Sequence, residues 1–261
     1  MSNVFMRLGS AMGLVSLVGC QGVADPDEGP TPSTELALTG ATVVSTHQIR
    51  QDWGVGSWSS STIQVTNVQA GDAIIVLGEY WMSNGTSVGP SDSNGHLTAA
   101  VNSVNQDPNF SDPPVAAQIY YQLHAAAGTH VITPPDLGGG DGDGTLYVIQ
   151  VRGLGSLVAV GQSHALGTAL PSISASLSSS AQSGDFVVGI GGEDDEVGAD
   201  TASMSNPPSG WTSIGVDNDA NVNVPSEAAY RIAPSAGAQL VKWTWTDPTA
   251  NVTAAGIAAF R

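Results

Sequence analysis

One string of strand and turn signals runs through this chain twice. Ala70-Gly71-Asp72-Ala73-Ile74-Ile75-Val76 recurs as Ser183-Gly184-Asp185-Phe186-Val187-Val188-Gly189, 113 residues on. Further along, Tyr121 through Gly128 recurs as Tyr230 through Gly237, at an offset of 109. Tyr147-Val148-Ile149-Gln150-Val151-Arg152 lies over Gly256-Ile257-Ala258-Ala259-Phe260-Arg261 at that same offset, and both copies stop at an arginine. A register held this long marks a duplicated supersecondary unit, which stacks with its neighbour to bury what it cannot bury alone. Each copy shows about six strand-like runs, too few for a good core if laid flat, so the halves are expected to share one.

The runs themselves are β in character. Thr62-Ile63-Gln64-Val65-Thr66 alternates polar and apolar, the period of a half-buried strand. Ala73–Leu77 and Phe186–Ile190 are short apolar runs, each introduced by Gly-Asp, and suit strands at the centre of a sandwich. Val115–Leu123, His130–Thr133, Leu146–Val151 and Leu240–Thr246 are further β-rich stretches, parted by Gly, Pro, Asn and Ser clusters. After residue 35 no window carries a convincing 3.6-residue period. The fold class is therefore all-β: an antiparallel, jelly-roll-like β-sandwich over residues 36–261, with repeat one at about 60–154 and repeat two at about 170–261.

Around the repeats sit Ser91-Asp92-Ser93-Asn94-Gly95, with the look of a hairpin turn, and Pro208-Ser209-Gly210-Trp211. Together with the Gly-Asp strands, the Tyr-to-Gly strand pair and the terminal apolar strand, these resemble a broad class of bacterial secreted β-sandwich proteins, most of them without an assigned function. The resemblance covers roughly residues 60–261. It implies the fold and says little of chemistry, because its motifs are strands and turns.

The first twenty residues address the chain. Arg7 is the only charge before Asp25, and an apolar stretch runs from Leu8 to Val18. Eleven residues of helix cover about 16 Å, against the roughly 30 Å of a bilayer core, so the stretch is too short to span. A basic start, a short apolar middle and a small-residue end describe a secretory signal at 1–19. It ends Leu17-Val18-Gly19-Cys20, which resembles the bacterial lipobox; Cys20 is the one cysteine of 261 residues. That resemblance implies cleavage before Cys20, a diacylglycerol thioether on its sulfur and acylation of the new amino terminus, so that the protein is a lipoprotein. Several acyl chains on one residue make release from a membrane negligible, where a single one is marginal. Gln21 stands where an Asp would resemble the inner-membrane retention signal, so outer membrane is the expected address in a Gram-negative cell, periplasmic or surface-facing. Residues 21–35, QGVADPDEGPTPSTE, bury too little to fold and read as a tether of up to ~50 Å.

Once the signal is removed, five Lys and Arg face 23 Asp and Glu. Such a surface repels phosphates and anionic headgroups, which argues against nucleic acid as a partner. With the sole thiol lipidated no internal disulfide forms, and about 220 residues bury enough surface without one.

Candidate chemistry is sparse. Asp141 and Asp143 in a glycine-rich stretch could share a Ca²⁺, although position 152 is Arg where an EF-hand loop would put Glu. Glu193-Asp194-Asp195-Glu196 and Asp217-Asn218-Asp219 are further acidic clusters, and all three are equally what solvated turns use. No other cofactor is indicated. Trp53 and Trp58 lie among Gly and Ser and could form an aromatic platform for a sugar ring, while Trp211, Trp243 and Trp245 read as core packing. Glu79 could be one carboxylate of a glycosidase pair, with no second partner nameable. Gly161-Gln162-Ser163-His164-Ala165 lacks the closing glycine and the strand-turn-helix setting of a nucleophile elbow. The histidines at 47, 96, 124, 130 and 164 show no HExxH, and a His124–His130 pair lacks a third zinc ligand.

These features describe a lipid-anchored envelope protein that presents a β-sandwich binding surface, for glycan or another surface protein, and that is not catalytic. Two alternatives stand beside it. One is a polysaccharide-acting hydrolase with two carboxylates in a cleft, the other a purely structural adhesion or surface-layer component with an open sheet edge.

Overall fold

A computed structural model describes residues 40–51, 61–81, 89–105, 115–135, 137, 143–166, 170–194, 204, 207–218, 224–245 and 252–261. Among them are fifteen strands and no helix. The first half contains β1 (Thr42–Gln51), β2 (Ile63–Val68), β3 (Ala73–Trp81), β4 (Ser91–Asp92), β5 (Thr98–Asn105), β6 (Val115–Gln122), β7 (Gly128–Thr133) and β8 (Asp143–Arg152). The second contains β9 (Leu157–Leu166), β10 (Ser172–Ser176), β11 (Phe186–Asp194), β12 (Thr212–Asp217), β13 (Ser226–Ile232), β14 (Leu240–Thr244) and β15 (Val252–Phe260).

Topology repeats along with sequence. The first half forms a five-stranded antiparallel sheet in the order β1-β8-β3-β6-β5, faced by a small β2-β7-β4 sheet. The second forms β9-β15-β11-β13-β12, faced by the β10-β14 pair. Matching β1 with β9, β3 with β11, β5 with β12, β6 with β13 and β8 with β15 gives one strand order twice. The repeat thus begins at β1 and β9, ahead of the boundaries near 60 and 170 that the sequence suggests.

The two five-stranded sheets pack face to face, giving four layers with the small sheets outermost. Side chains alternate across a strand, so each large sheet feeds two interiors. Ala73, Ile75 and Leu77 of β3 enter the central core beside Phe186, Val188 and Ile190 of β11. Ile74, Val76 and Tyr80 point the other way and pack under the β2-β7-β4 sheet with Ile63, Val65 and Ile132. Val187, with Trp243 of β14 and Trp211, builds the corresponding outer core of the second half. Burial on both faces explains why Ala73–Leu77 and Phe186–Ile190 read as unbroken apolar runs. Each half accordingly has a core of its own and shares a third.

The duplicated Gly-Asp motif and the closing arginine form one device. Gly71 and Gly184 both sit at φ +93°, a turn conformation that side chains resist. The following carboxylates each take a backbone N–H three residues back, Gln69 to Asp72 at 3.0 Å and Gln182 to Asp185 at 2.7 Å. Each is then clamped by the arginine ending its own half: Arg152 Nε to Asp72 at 3.0 Å, Arg261 Nε to Asp185 at 2.9 Å. The Asp72 and Asp185 carbonyls accept from Ala125 and Ala233, both at 2.8 Å, tying the turn after β6 or β13 into the same corner.

Candidate functional site

The sandwich has two unlike ends. The clamps, the short turns at 69–72 and 153–156, and the entry of the chain into β1 at Thr42 share one end, since Thr42 pairs with Arg152 and Ala73 with Val151. At the other, Gln51 pairs with Gly144, Trp81 and Asn105 with Val115, Asp217 with Ser226, and Asp194 and Leu166 with Val252, so β1, β3, β5, β9, β11 and β12 all leave there. The segments that leave or enter the five-stranded sheets at this second end are 52–60, 82–88, 106–114, 136–142, 167–169, 195–203, 219–223 and 246–251. By sequence they carry ten Asp and Glu and no Lys or Arg.

The strand ends beneath those segments hold a set of buried acids. Glu79, Asp143, Glu193, Asp217 and Glu227 are all buried. Parity divides them between faces. On β3 and β8 the inward positions after Leu77 and before Ile149 are Glu79, Asp143, Thr145 and Tyr147, facing the second half. Glu193 and Glu227 stand on the far face of the other sheet, the face that Val187 and Ala229 give to the outer core. Polar bonds stitch the halves here. The Thr145 hydroxyl donates to Asp217 at 2.5 Å, and the Tyr147 hydroxyl donates to the Ser226 carbonyl at 2.9 Å. Gln48 Nε2 donates to the Val216 carbonyl at 3.2 Å, and Arg50 reaches Asp217 at 3.8 Å.

Glu79 lies on the face turned toward the second half. Its two carboxyl oxygens are buried and have no hydrogen-bond partner. Burial pushes its pKa well above the usual carboxyl range. Burial also raises Glu227, to about 8, with the Ser213 side chain opposing. Tyr147 is held far above its ordinary value by burial, its bond to Ser226 opposing and the nearby Asp217, Glu227 and Glu79 adding to the shift. These groups are arranged to keep protons. Among the described residues no group of three or more His, Cys, Asp or Glu is placed to hold a metal ion.

The residues singled out from the sequence fall as follows. Cys20, Trp53, Trp58 and Asp141 lie outside the described residues. Asp143 opens β8 opposite Trp81, buried in the strand rather than out in a turn. Glu193 and Asp217 are likewise strand residues, not loop ligands. Trp211, Trp243 and Trp245 are buried, as their pattern suggests. Residues 161–165 belong to β9, the edge of the second large sheet.

His130 does not approach His124 as a zinc ligand. Its Nδ1 meets Asp92 at 2.6 Å and its Nε2 the Ala126 carbonyl at 2.9 Å, so both ring nitrogens are engaged. This bond docks the Ser91–Gly95 turn onto β7. The second half solves the same position differently: Gln239, 109 residues beyond His130, donates to the Ser235 carbonyl at 3.4 Å and accepts from Arg231. Arg231 lies 4.7 Å from the Trp211 ring centroid, and thereby holds the Pro208–Trp211 turn in place.

The fold and this end define the class: two β-sandwiches fused through their large sheets, with the strand ends that lead into the long, acidic connecting sequences at one end. Compared with protein-family models, with curated proteins and with solved structures, the chain matches none.

Proposed function

We propose that this protein is a lipid-anchored component of the cell envelope, held at the outer membrane through Cys20, whose sandwich presents its loop end as a binding surface for glycan or another surface protein. The observation that carries the reading is the end at which the chain enters. β1 starts at Thr42 beside the clamps, so an anchor and tether at residues 20–35 attach to the end opposite the long connections. The loop end is then the end of the sandwich away from the point of attachment, which supports it as the binding surface. The acids of those connections, with no Lys or Arg among them, favour a partner that is cationic, or a neutral one gripped through bridging Ca²⁺.

Glu79, the first carboxylate to consider for a polysaccharide hydrolase, lies between the sheets and has no exposed surface. That observation favours binding over hydrolysis. Two measurements test the reading. Mass spectrometry of the native protein should find Cys20 acylated at the amino terminus; an unmodified thiol at that position refutes the anchor. A glycan array probed with residues 36–261, with and without Ca²⁺, should give selective retention, and clean negatives in both conditions remove the glycan form of the proposal.

A further inference from the structure

We propose that the loop end is a proton-held latch: with a proton on the Glu79 carboxyl the two large sheets close over it, and loss of that proton drives them apart at this end. The geometry carries the argument. A Cβ built on Gly192 of β11 would stand 2.7 Å from Glu79 Cγ and 2.8 Å from the Pro225 carbonyl, so the Glu79 side chain lies directly against the facing backbone. Gly192 is also the repeat counterpart of Glu79, 113 residues on, and only a residue without a side chain leaves this room.

Among the described residues nothing around that carboxyl compensates a negative charge. From β8 it is faced by Asp143, by Thr145, whose hydroxyl is given to Asp217, and by Tyr147, whose hydroxyl is given to Ser226. From β6 comes Ala117, its neighbour in the sheet, and from β15 and β11 come Ala254 and Gly192. Ser226 at the start of β13, the Pro225 carbonyl just before it, and Asp217 at the end of β12 complete the surroundings. The cation in its row of the sheet is Arg50, two strands or about 10 Å away and drawn to Asp217. Asp143 and Asp217 are acids themselves and bring no positive charge to the site. Ionisation therefore requires water at Glu79, and water arrives only if the sheets part.

The direction with pH follows from burial, which raises the Glu79 pKa in the closed form. The closed end keeps a proton that the open end has lost. Closure is fully stable below the ordinary carboxyl value of ~4.3 and weakens tenfold for each pH unit above it, until the raised value is passed.

Hydrogen exchange of the full chain, read by mass spectrometry from pH 5 to 9, tests this when expressed as the ratio of protection in wild type to that in Glu79→Gln. Peptides covering the loop ends of β3, β8, β11 and β13 should show that ratio falling as pH rises, by up to about tenfold per pH unit, while peptides at the Asp72 and Asp185 clamps show it constant. Glu79→Met, which is apolar and of similar length, should reproduce the glutamine result should that variant fold poorly. A ratio that does not change with pH overturns the latch, as does a fall of equal size at the clamp end. So does a fall that Glu227→Gln abolishes and Glu79→Gln leaves intact.

Discussion

Asp72 and Asp185 each gather a backbone N–H and a guanidinium onto one buried carboxylate, so removing either acid strands several donors at once. Charge-assisted bonds of this kind are worth about 1.5–3 kcal/mol, and Asp72→Ala should cost roughly 2–3 kcal/mol in chemical denaturation, with Asp185→Ala similar. The pH dependence is opposite to that at the loop end. Burial works to raise the Asp72 pKa, but the Arg152 bond, the Gln69 N–H and Gln150 together outweigh it and hold it below the ordinary value. Its contribution is complete above the carboxyl range and fades as pH falls through the lowered value. Acid thus loosens the Asp72 clamp, whereas alkali loosens the latch. The Gly-Asp pair and the terminal arginine were legible as repeat marks because turn chemistry is local. That they touch each other was not, since 80 residues separate Asp72 from Arg152. Glu79 was visible as an odd acid after an apolar run, but its orphan state arises from the facing sheet and leaves no local signal.

Strands at the centre of the sandwich announced themselves, and strands at its margins did not. β3 and β11 are covered on both faces and carry continuous apolar runs, which is why Ala73–Leu77 and Phe186–Ile190 could be placed from sequence. β1 and β9 are edge strands with polar residues on both faces, as in Gln162, Ser163 and His164, so neither period nor composition sets them apart from loop. The short β10, Ser-Ile-Ser-Ala-Ser, offers only two apolar side chains, Ile173 and Ala175, yet both are buried against the large sheet. The β10-β14 pair is the thinner of the two outer covers, and Trp243 is its largest fully buried side chain, lying over Gly189 and Gly191. Truncating it leaves a cavity that two strands cannot close. Trp243→Ala should cost about 3–5 kcal/mol, a fall in Tm of roughly 6–20 °C by calorimetry, while the first half keeps its own three-stranded cover.

The contacts between halves obey the repeat as well. β3 faces β11, its own counterpart; β5 lies over β9 as β12 lies over β1, and β6 over β15 as β13 over β8. Exchanging the halves maps this set of pairings onto itself, the signature of an isologous, two-fold interface within one chain. Departures from it are seen at the loop end, where the counterparts Glu79 and Gly192 meet as unlike residues and the Tyr147–Ser226 bond has no equivalent, since Gly256 stands in place of the tyrosine. An interface of this form is what a dimer of single sandwiches would have, with residues 153–156 serving only as a bridge between β8 and β9. Sequence reading reached the shared core but not this symmetry, because an interface has no period along the chain. A chain cut within 153–156 should therefore lose little but the link: residues 36–154 and 155–261, refolded together, should recover one stoichiometric complex with wild-type β content. Each alone would expose the inner face of its large sheet, with Ile75, Leu77 and Ile149 on one side and Phe186, Val188 and Phe260 on the other, and should aggregate. Size-exclusion chromatography with light scattering distinguishes the outcomes. Two halves that stay monomeric and folded apart would show that the central core is not needed, and the two-fold would then be a matter of ancestry alone.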